Sequence, residues 1–239
     1  MTDQEYEQRL AEEKARLIAQ FDEIMDSVVL GLTSVVDSRD NSTGSHIRRT
    51  SECMRVFSRY LREDPELPQF DDRFCRRMTK AAPMHDLGKL AIPDTILRKP
   101  GKFTDEDYEL MKTHAKAGAK LVYEILSETP NRAFLLVAIN IAHYHHEKWD
   151  GTGYPAGLAG EAIPLEARVM ALVDVFDALV SARCYKPGFS YDDAFAIVEQ
   201  GLGTHFDPVL GRKFLACRPA IEALYHDLLD AEMDYYALN

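Results

Sequence analysis

The chain has 239 residues, 46% hydrophobic and 28% charged, with a formal net charge of −11. That composition excludes a mainly disordered chain, and the length suits one large domain, or one domain with an extension. The acidic balance argues against duplex nucleic acid or an anionic membrane as main partner, so a bound anion would need local cations or metals to invert the field.

MTDQEYEQRL at the start has no apolar core of the kind a secretory signal carries. The longest apolar run, Ala133 to Ala142, is interrupted by Asn140 and is too short to span a bilayer. The four cysteines, Cys53, Cys75, Cys184 and Cys217, include no C-x-x-C pair, so neither a disulfide framework nor a thiolate zinc site is expected. The expectation is a cytoplasmic, soluble protein with no membrane and no nucleic acid polymer as partner.

In chain order, Tyr6, Leu10, Leu17, Phe21, Ile24, Val28 and Leu32 recur at steps that fit one face of a long first helix. Such a helix either pairs with a partner chain or packs on its own domain. Further helices are predicted over 45–62, 70–84, 105–113, 115–127, 131–144, 165–182, 191–200 and 209–229. Thr104, followed by Asp105, Glu106 and Asp107, is a helix N-cap with acids in the first turn. No alternation runs far enough to support a sheet, so the fold class is all-α. Two glycine- and proline-bearing loops interrupt the helical pattern, Ala91 to Thr104 and Glu147 to Pro164. Long loops of this kind in compact domains usually serve function.

Each loop follows a cluster of histidines. His85-Asp86 precedes Gly88-Lys89, and His145-His146-Glu147 opens the second loop. A neutral imidazole offers one nitrogen and a carboxylate can bridge two ions, so adjacent His and Asp suit one or two metals. The competing reading of His85-Asp86 is a helix cap ion-paired to Lys89. Adjacent histidines on a helix diverge by about 100°. Both can therefore face one metal only where the helix ends or bends. Mixed His and carboxylate ligands without thiolates suit Fe, Mn, Co, Ni or Zn rather than calcium.

These residues, taken together, resemble the HD-GYP family, a subgroup of the HD phosphohydrolase superfamily. The likeness is carried by His46-Ile-Arg-Arg49, MHDLGKLAIPDTILRKPGKFT from Met84 and MKTHAKAG from Met111. It continues in HHEKWDGTGYPAGLAGEAIPLEAR from His145, VDVFDAL from Val173, RCYK from Arg183 and HFDP from His205. It covers roughly residues 30–215 and is specific as an ordered set.

The resemblance implies a helical HD bundle with a metal centre in its core, preceded by an N-terminal signalling or dimerisation helix over 1–29, the phosphohydrolase domain being 30–239. It implies hydrolysis of cyclic di-GMP to pGpG, or onward to GMP, by a hydroxide bridging two divalent ions, most often Fe or Mn. Family metal ligands map onto His46, His85, Asp86, His114, His145, His146 and Asp174. His46, His85 and Asp174 would hold one ion, His114, His145 and His146 the other, and Asp86 would bridge. Lys89 and Asp86 map onto the catalytic positions. Lys89 would stabilise charge on the phosphate or protonate the leaving oxygen.

Arg183 and Lys186 match the family's phosphate-binding pair, although cations near a helix end also cap it. Tyr154 and Gly153 of the GYP loop would contact substrate, or simply pack the loop. Trp149 and Asp150 are expected to hold the loop, and Arg168 to touch loop or ligand. His143, His205 and His226 have no ligand role in the family. The family often carries Glu four residues before its first His. Here that position is Ser42, a poor metal ligand, which favours two ions over three and product release at pGpG. Partners in the resemblance are cyclic di-GMP, a second copy through the N-terminal helix, and a sensor, receiver or diguanylate cyclase domain. The other readings are a phosphodiesterase for another cyclic dinucleotide, such as cyclic GMP-AMP, and a silent cyclic dinucleotide receptor.

Overall fold

The computed structural model describes residues 2–39, 45–181 and 188–238. Among these it contains ten α-helices and no strand, only an isolated bridge between Leu202 and Phe206. None of the helices is long and apolar enough to cross a membrane. The helices are α1 (Asp3–Arg39), α2 (His46–Arg62), α3 (Asp72–Ala81), α4 (Asp94–Leu97), α5 (Asp105–Leu126), α6 (Arg132–Tyr144), α7 (Leu165–Val180), α8 (Tyr191–Gln200), α9 (Pro208–Ala216) and α10 (Arg218–Leu238).

The starts of several helices follow from side chains that satisfy otherwise unpaired backbone N–H groups. Thr104 and Asp107 form a reciprocal capping box at α5. Asp71, Asn131, Ser190 and Asp207 accept from the first turns of α3, α6, α8 and α9.

Three elements differ from the sequence expectation. The segments 105–113 and 115–127 form the single helix α5, because nothing at His114 breaks the backbone pattern. The 209–229 segment divides at Cys217, just ahead of Pro219, whose missing N–H favours the first turn of a helix. The 70–84 segment leaves α-helical geometry at Ala81 and tightens into a 3-10 turn over Ala82–Met84, with Pro83 near its start. A second 3-10 turn spans Leu87–Ala91, so His85 and Asp86 sit on a corner between two tight turns.

Helix α7 is apolar on almost every side, as a helix wrapped by neighbours should be. Val169, Met170, Leu172, Val173 and Phe176 are all buried. Phe176 packs against Phe195, Phe214 and Tyr225 from α8, α9 and α10, with ring centroids 4.7 to 5.4 Å away. The central helix thus carries Asp174 and Asp177 into the interior on a rigid support. At the other end of the chain, α1 buries Val29, Thr33 and Val36, whereas Tyr6, Leu10, Leu17 and Ile24 are exposed.

Gly88 sets the distance between the 3-10 corner and α5. A Cβ there would lie 1.9 Å from the carbonyl oxygen of His114 and 2.4 Å from the nitrogen of Gly118. Only glycine permits that approach, and it brings Asp86 and Lys89 against the face of α5 that presents His114.

Candidate metal centre

Seven side chains from five places in the chain converge in the interior. His46 opens α2, His85 and Asp86 occupy the 3-10 corner, and His114 lies midway along α5. His145 caps α6 at its C-terminus, His146 follows it, and Asp174 comes from α7. The helix ends between Tyr144 and His146, so the two adjacent rings both turn inward, with centroids 4.0 Å apart.

Two ligand-like groups result. The donor atoms of Asp86, His114, His145 and His146 lie within 4.8 Å of one another, as do those of His46, His85 and Asp86. Asp86 belongs to both. Its Oδ1 is 3.3 Å from His114 Nε2 and 3.8 Å from His145 Nε2. Its Oδ2 is 3.5 Å from His85 Nε2 and 4.0 Å from His46 Nε2. Asp174 joins the second group through Oδ1, 3.5 Å from His46 Nε2 and 3.7 Å from His85 Nε2.

Ring orientation is set by bonds on the far nitrogens. The Nδ1–H groups of His85, His114 and His145 donate to the carbonyl oxygens of Ala82, Met111 and Ile141 at 2.8, 2.7 and 2.9 Å. Held this way, each ring aims its Nε2 at the centre. Burial, reinforced by the neighbouring histidines, holds His145 well below the usual imidazole range. His146 is lowered to about 4, mainly by burial. Burial opposes ionisation of Asp86, yet Lys89 and the histidines around it hold its carboxyl well below the usual range.

The residues present fit a metal. The Nε2 atoms of His114 and His145 face each other at 3.4 Å beside an Asp86 oxygen. With both rings neutral that is a convergence of lone pairs with no proton to share, which a cation resolves. Nitrogens bound at about 2.1 Å to one ion lie at roughly this separation from each other. The His and carboxylate donor set without thiolate suits a borderline transition metal. The centre is therefore suited to metal binding.

Beneath His46 lies a charged network that the sequence reading did not anticipate. Asp177 accepts from His46 Nδ1 at 2.7 Å, from Arg49 Nε and Nη2 at 2.7 and 3.1 Å, and from the hydroxyl of Tyr225 at 2.9 Å. Burial raises the cost of this carboxylate, but His46 and Arg49 hold it ionised, well below the usual range. Burial alone would lower His46, but Asp177, Asp174 and Asp86 outweigh it and raise its pKa to about 9. The signal was present as spacing. Asp174 and Asp177, and likewise His46 and Arg49, are three residues apart on one helix face.

Lys89 places its ammonium 2.7 Å from Asp86 Oδ2, so the ion pair of the competing reading exists together with the metal-type cluster. Tyr154 rests on the His146 ring with centroids 4.7 Å apart, and burial pushes its hydroxyl well above the usual phenol range. Gly153 packs backbone on backbone. A Cβ there would come within 2.3 Å of the Lys148 nitrogen and 2.6 Å of the His146 carbonyl oxygen. Glu147, also unanticipated, is buried and accepts from the backbone N–H groups of Ala156 and Leu158 at 2.7 and 3.0 Å. It ties the loop back to the metal-facing histidines. Trp149 and Asp150 donate backbone N–H groups to His205 and Thr204, and Arg168 pairs with Asp207 at 2.7 Å while lying over the Trp149 ring. His143 stacks on Tyr144, away from the cluster. Arg183, Lys186, Cys184 and Ser42 lie outside the described residues.

Residues 34–210 match the HD domain family. Among curated proteins, the chain is 46% identical over 207 residues to a "Cyclic di-GMP phosphodiesterase" of Vibrio cholerae, covering 86% of this chain and 42% of that protein. It is 39% identical over 220 residues to the "Cyclic di-GMP phosphodiesterase response regulator RpfG" of Xanthomonas campestris, covering 91% and 55%. It is 36% identical over 199 residues to the "3'3'-cGAMP-specific phosphodiesterase 2" of V. cholerae, covering 83% and 36%. The chain thus spans about half the length, or less, of these relatives. In fold it is similar to a solved cyclic GMP-AMP phosphodiesterase of V. cholerae, V-cGAP3, with a TM-score of 0.58 at 20% identity over 90% of this chain and 53% of that one. The helical bundle, the His/Asp cluster at its centre and these matches agree with the HD-GYP likeness, and the chain belongs to the HD domain family.

Proposed function

We propose that this chain is a metal-dependent phosphodiesterase that hydrolyses cyclic di-GMP to pGpG. The observation that carries the proposal is Asp86, whose two carboxylate oxygens divide between two histidine groups. That arrangement suits two divalent ions, and the ligand types and the family likeness favour iron or manganese. Bound there, two ions would supply an activated water and neutralise phosphate charge.

The chain's own residues then have separable tasks. His46, His85 and Asp174 would hold one ion, His114, His145 and His146 the other, and Asp86 both. Lys89, anchored on Asp86, would offer its ammonium to the phosphate as charge develops. Arg183 and Lys186 would grip the second phosphate, Arg183 through its planar fork. Tyr154 and Gly153 would form the substrate side of the loop. Ser42 in place of a carboxylate supports two ions rather than three and an end product of pGpG.

The same proposal divides the chain into a helix over 1–29 and a domain over 30–239, supported by the burial of Thr33 and Val36 against the exposure of Tyr6, Leu10, Leu17 and Ile24. The exposed apolar face of α1 supports its pairing with a second copy or with a sensor, receiver or diguanylate cyclase domain, in the cytoplasm where cyclic dinucleotides signal. A second reading, hydrolysis of cyclic GMP-AMP, is favoured by the relatives named for that substrate.

The test is anaerobically purified protein, loaded with iron or manganese, incubated with cyclic di-GMP while the nucleotides are separated over time. Accumulating pGpG that disappears in the His85→Ala/Asp86→Ala variant is the expected result. No turnover of cyclic di-GMP with metal demonstrably bound overturns the proposal, and turnover of cyclic GMP-AMP alone replaces it with the second reading.

A further inference from the structure

Two aromatic rings and one ammonium stand together at the edge of the metal centre. Tyr154 lies on His146 and also approaches the ring of His114, at 6.4 Å between centroids. Tyr108, on the second turn of α5 and half exposed, meets Tyr154 edge-on at 6.5 Å. Lys112, one turn further along α5, sets its Nζ 5.0 Å from the Tyr108 ring centroid and 5.8 Å from that of Tyr154. Its ion partner, Glu109, has a side chain 69% exposed, and such surface pairs are weak. Two residues after Lys112, the same helix presents His114 to the centre.

We propose that Tyr108, Tyr154 and Lys112 form a nucleobase subsite in which Lys112 selects guanine over adenine. This rests on the cyclic dinucleotide phosphodiesterase reading and deepens it. Stacking on an aromatic face holds any base, since every base has a π-face, so the two tyrosines supply affinity without choice. Choice needs a group with one hydrogen-bonding sense. Lysine is a donor only, with three N–H bonds and no acceptor. The Hoogsteen edge of guanine offers two acceptors, N7 and O6. The same edge of adenine offers N7 and an amino donor. An ammonium beside the stacked base therefore satisfies guanine twice, and faces an unmatched amine in adenine. Cation–π contact with both rings holds the ammonium at the mouth of the subsite before a base arrives. A lysine that merely covered a surface tyrosine would leave the choice of base untouched.

The experiment compares the metal-loaded 239-residue chain and its Lys112→Met variant for equilibrium binding and kcat/KM with cyclic di-GMP and cyclic di-AMP. Metal content and melting temperature verify that the variant is intact. The guanine-to-adenine ratio is expected to fall about tenfold, the scale of a lost base-edge contact. Lys112→Arg, which keeps a donor-only cation, should restore most of the ratio. Tyr108→Ala should weaken both nucleotides together. An unchanged ratio in Lys112→Met, or a parent chain that binds the two nucleotides equally, overturns the proposal. Binding that discriminates without any turnover overturns the phosphodiesterase reading and leaves the subsite standing.

Discussion

The carboxylate of Asp177 accepts a hydrogen bond from His46 Nδ1 at 2.7 Å, and the opposite nitrogen of the same ring faces His85 Nε2 at 3.1 Å. The ring therefore stands between a buried anion and the metal-facing cluster. Asp177 fixes which nitrogen of His46 points inward and raises the ring's basicity. It is itself held by Arg49 from α2 and Tyr225 from α10, so three helices fix the angle of one ligand.

Asp177→Asn should weaken the ion held on the His46 side by about 10- to 100-fold, the usual cost of losing an outer carboxylate. The group formed by His114, His145 and His146 shares no hydrogen bond with Asp177 and should keep its ion. Metal titration followed by elemental analysis separates the two. Equal loss of both ions would show that Asp177 supports the fold as a whole rather than His46.

Proton release on metal binding follows from the same pair. With its pKa raised to about 9, His46 is an imidazolium in the metal-free protein at neutral pH, donating to both Asp177 and His85. A metal displaces the inner proton. Calorimetry at pH 7.5 in buffers of different ionisation enthalpy should report about one proton released per chain. No buffer dependence would contradict the charged state of His46.

His46 and His146, shifted in opposite directions, also shape the pH dependence of the metal-free protein. His46 is raised, so its stabilising contribution is complete below the ordinary value of 6.5 and is lost as pH rises through about 9. His146 is lowered to about 4, so the folded state resists its protonation and stability falls as pH drops from 6.5 toward 4. Melting temperature in the presence of chelator should peak near neutral pH and fall on both sides. A melting temperature still rising at pH 9 would contradict the first shift.

Gly88→Ala should be costly for a side chain of one carbon. The added Cβ would collide with the backbone of His114 and Gly118, which cannot swing aside as a flexible side chain could. Displacing the 3-10 corner is expected to destabilise the chain by about 1 to 3 kcal/mol, the range for overpacking. It should also draw Asp86 away from His114. Melting temperature and metal content should fall together; a variant that melts like the parent and binds metal normally would refute the close approach.

Glu147→Ala should loosen the loop while leaving the ligands in place. Two backbone N–H groups, of Ala156 and Leu158, lose a buried carboxylate acceptor. The expected cost is about 1 to 3 kcal/mol per unsatisfied group, reduced where the freed backbone reaches water. Hydrogen exchange over 153–160 should accelerate before exchange in the helices does. Unaltered exchange there would mean that the contacts of Trp149 with His205 and Gly160 suffice to hold the loop.

Much of this architecture was legible in the residues themselves. Helix positions, the N-cap at Thr104 and the ligand types are local properties of the chain. They depend on periodicity, on caps and on the donor atoms each side chain carries. The inward turn of both His145 and His146 was foreseeable too, because two adjacent residues share a target only where a helix stops. What only the tertiary structure decided was the supporting layer. Asp177 and Glu147 read as ordinary acids in the sequence, and Tyr225 as one aromatic residue in a terminal helix. Their partners lie 131, 11 and 48 residues away, as in His46–Asp177, Glu147–Leu158 and Asp177–Tyr225. Such pairings are set by how helices pack and by the need to pair every buried charge, and neither leaves a period in the sequence. The sharing of Asp86 between two groups was already expected from the family likeness, while its geometry was not. Its carboxylate could be read as a ligand from His85-Asp86 alone, but the sharing of its two oxygens required α5, α6 and the 3-10 corner to meet across a glycine.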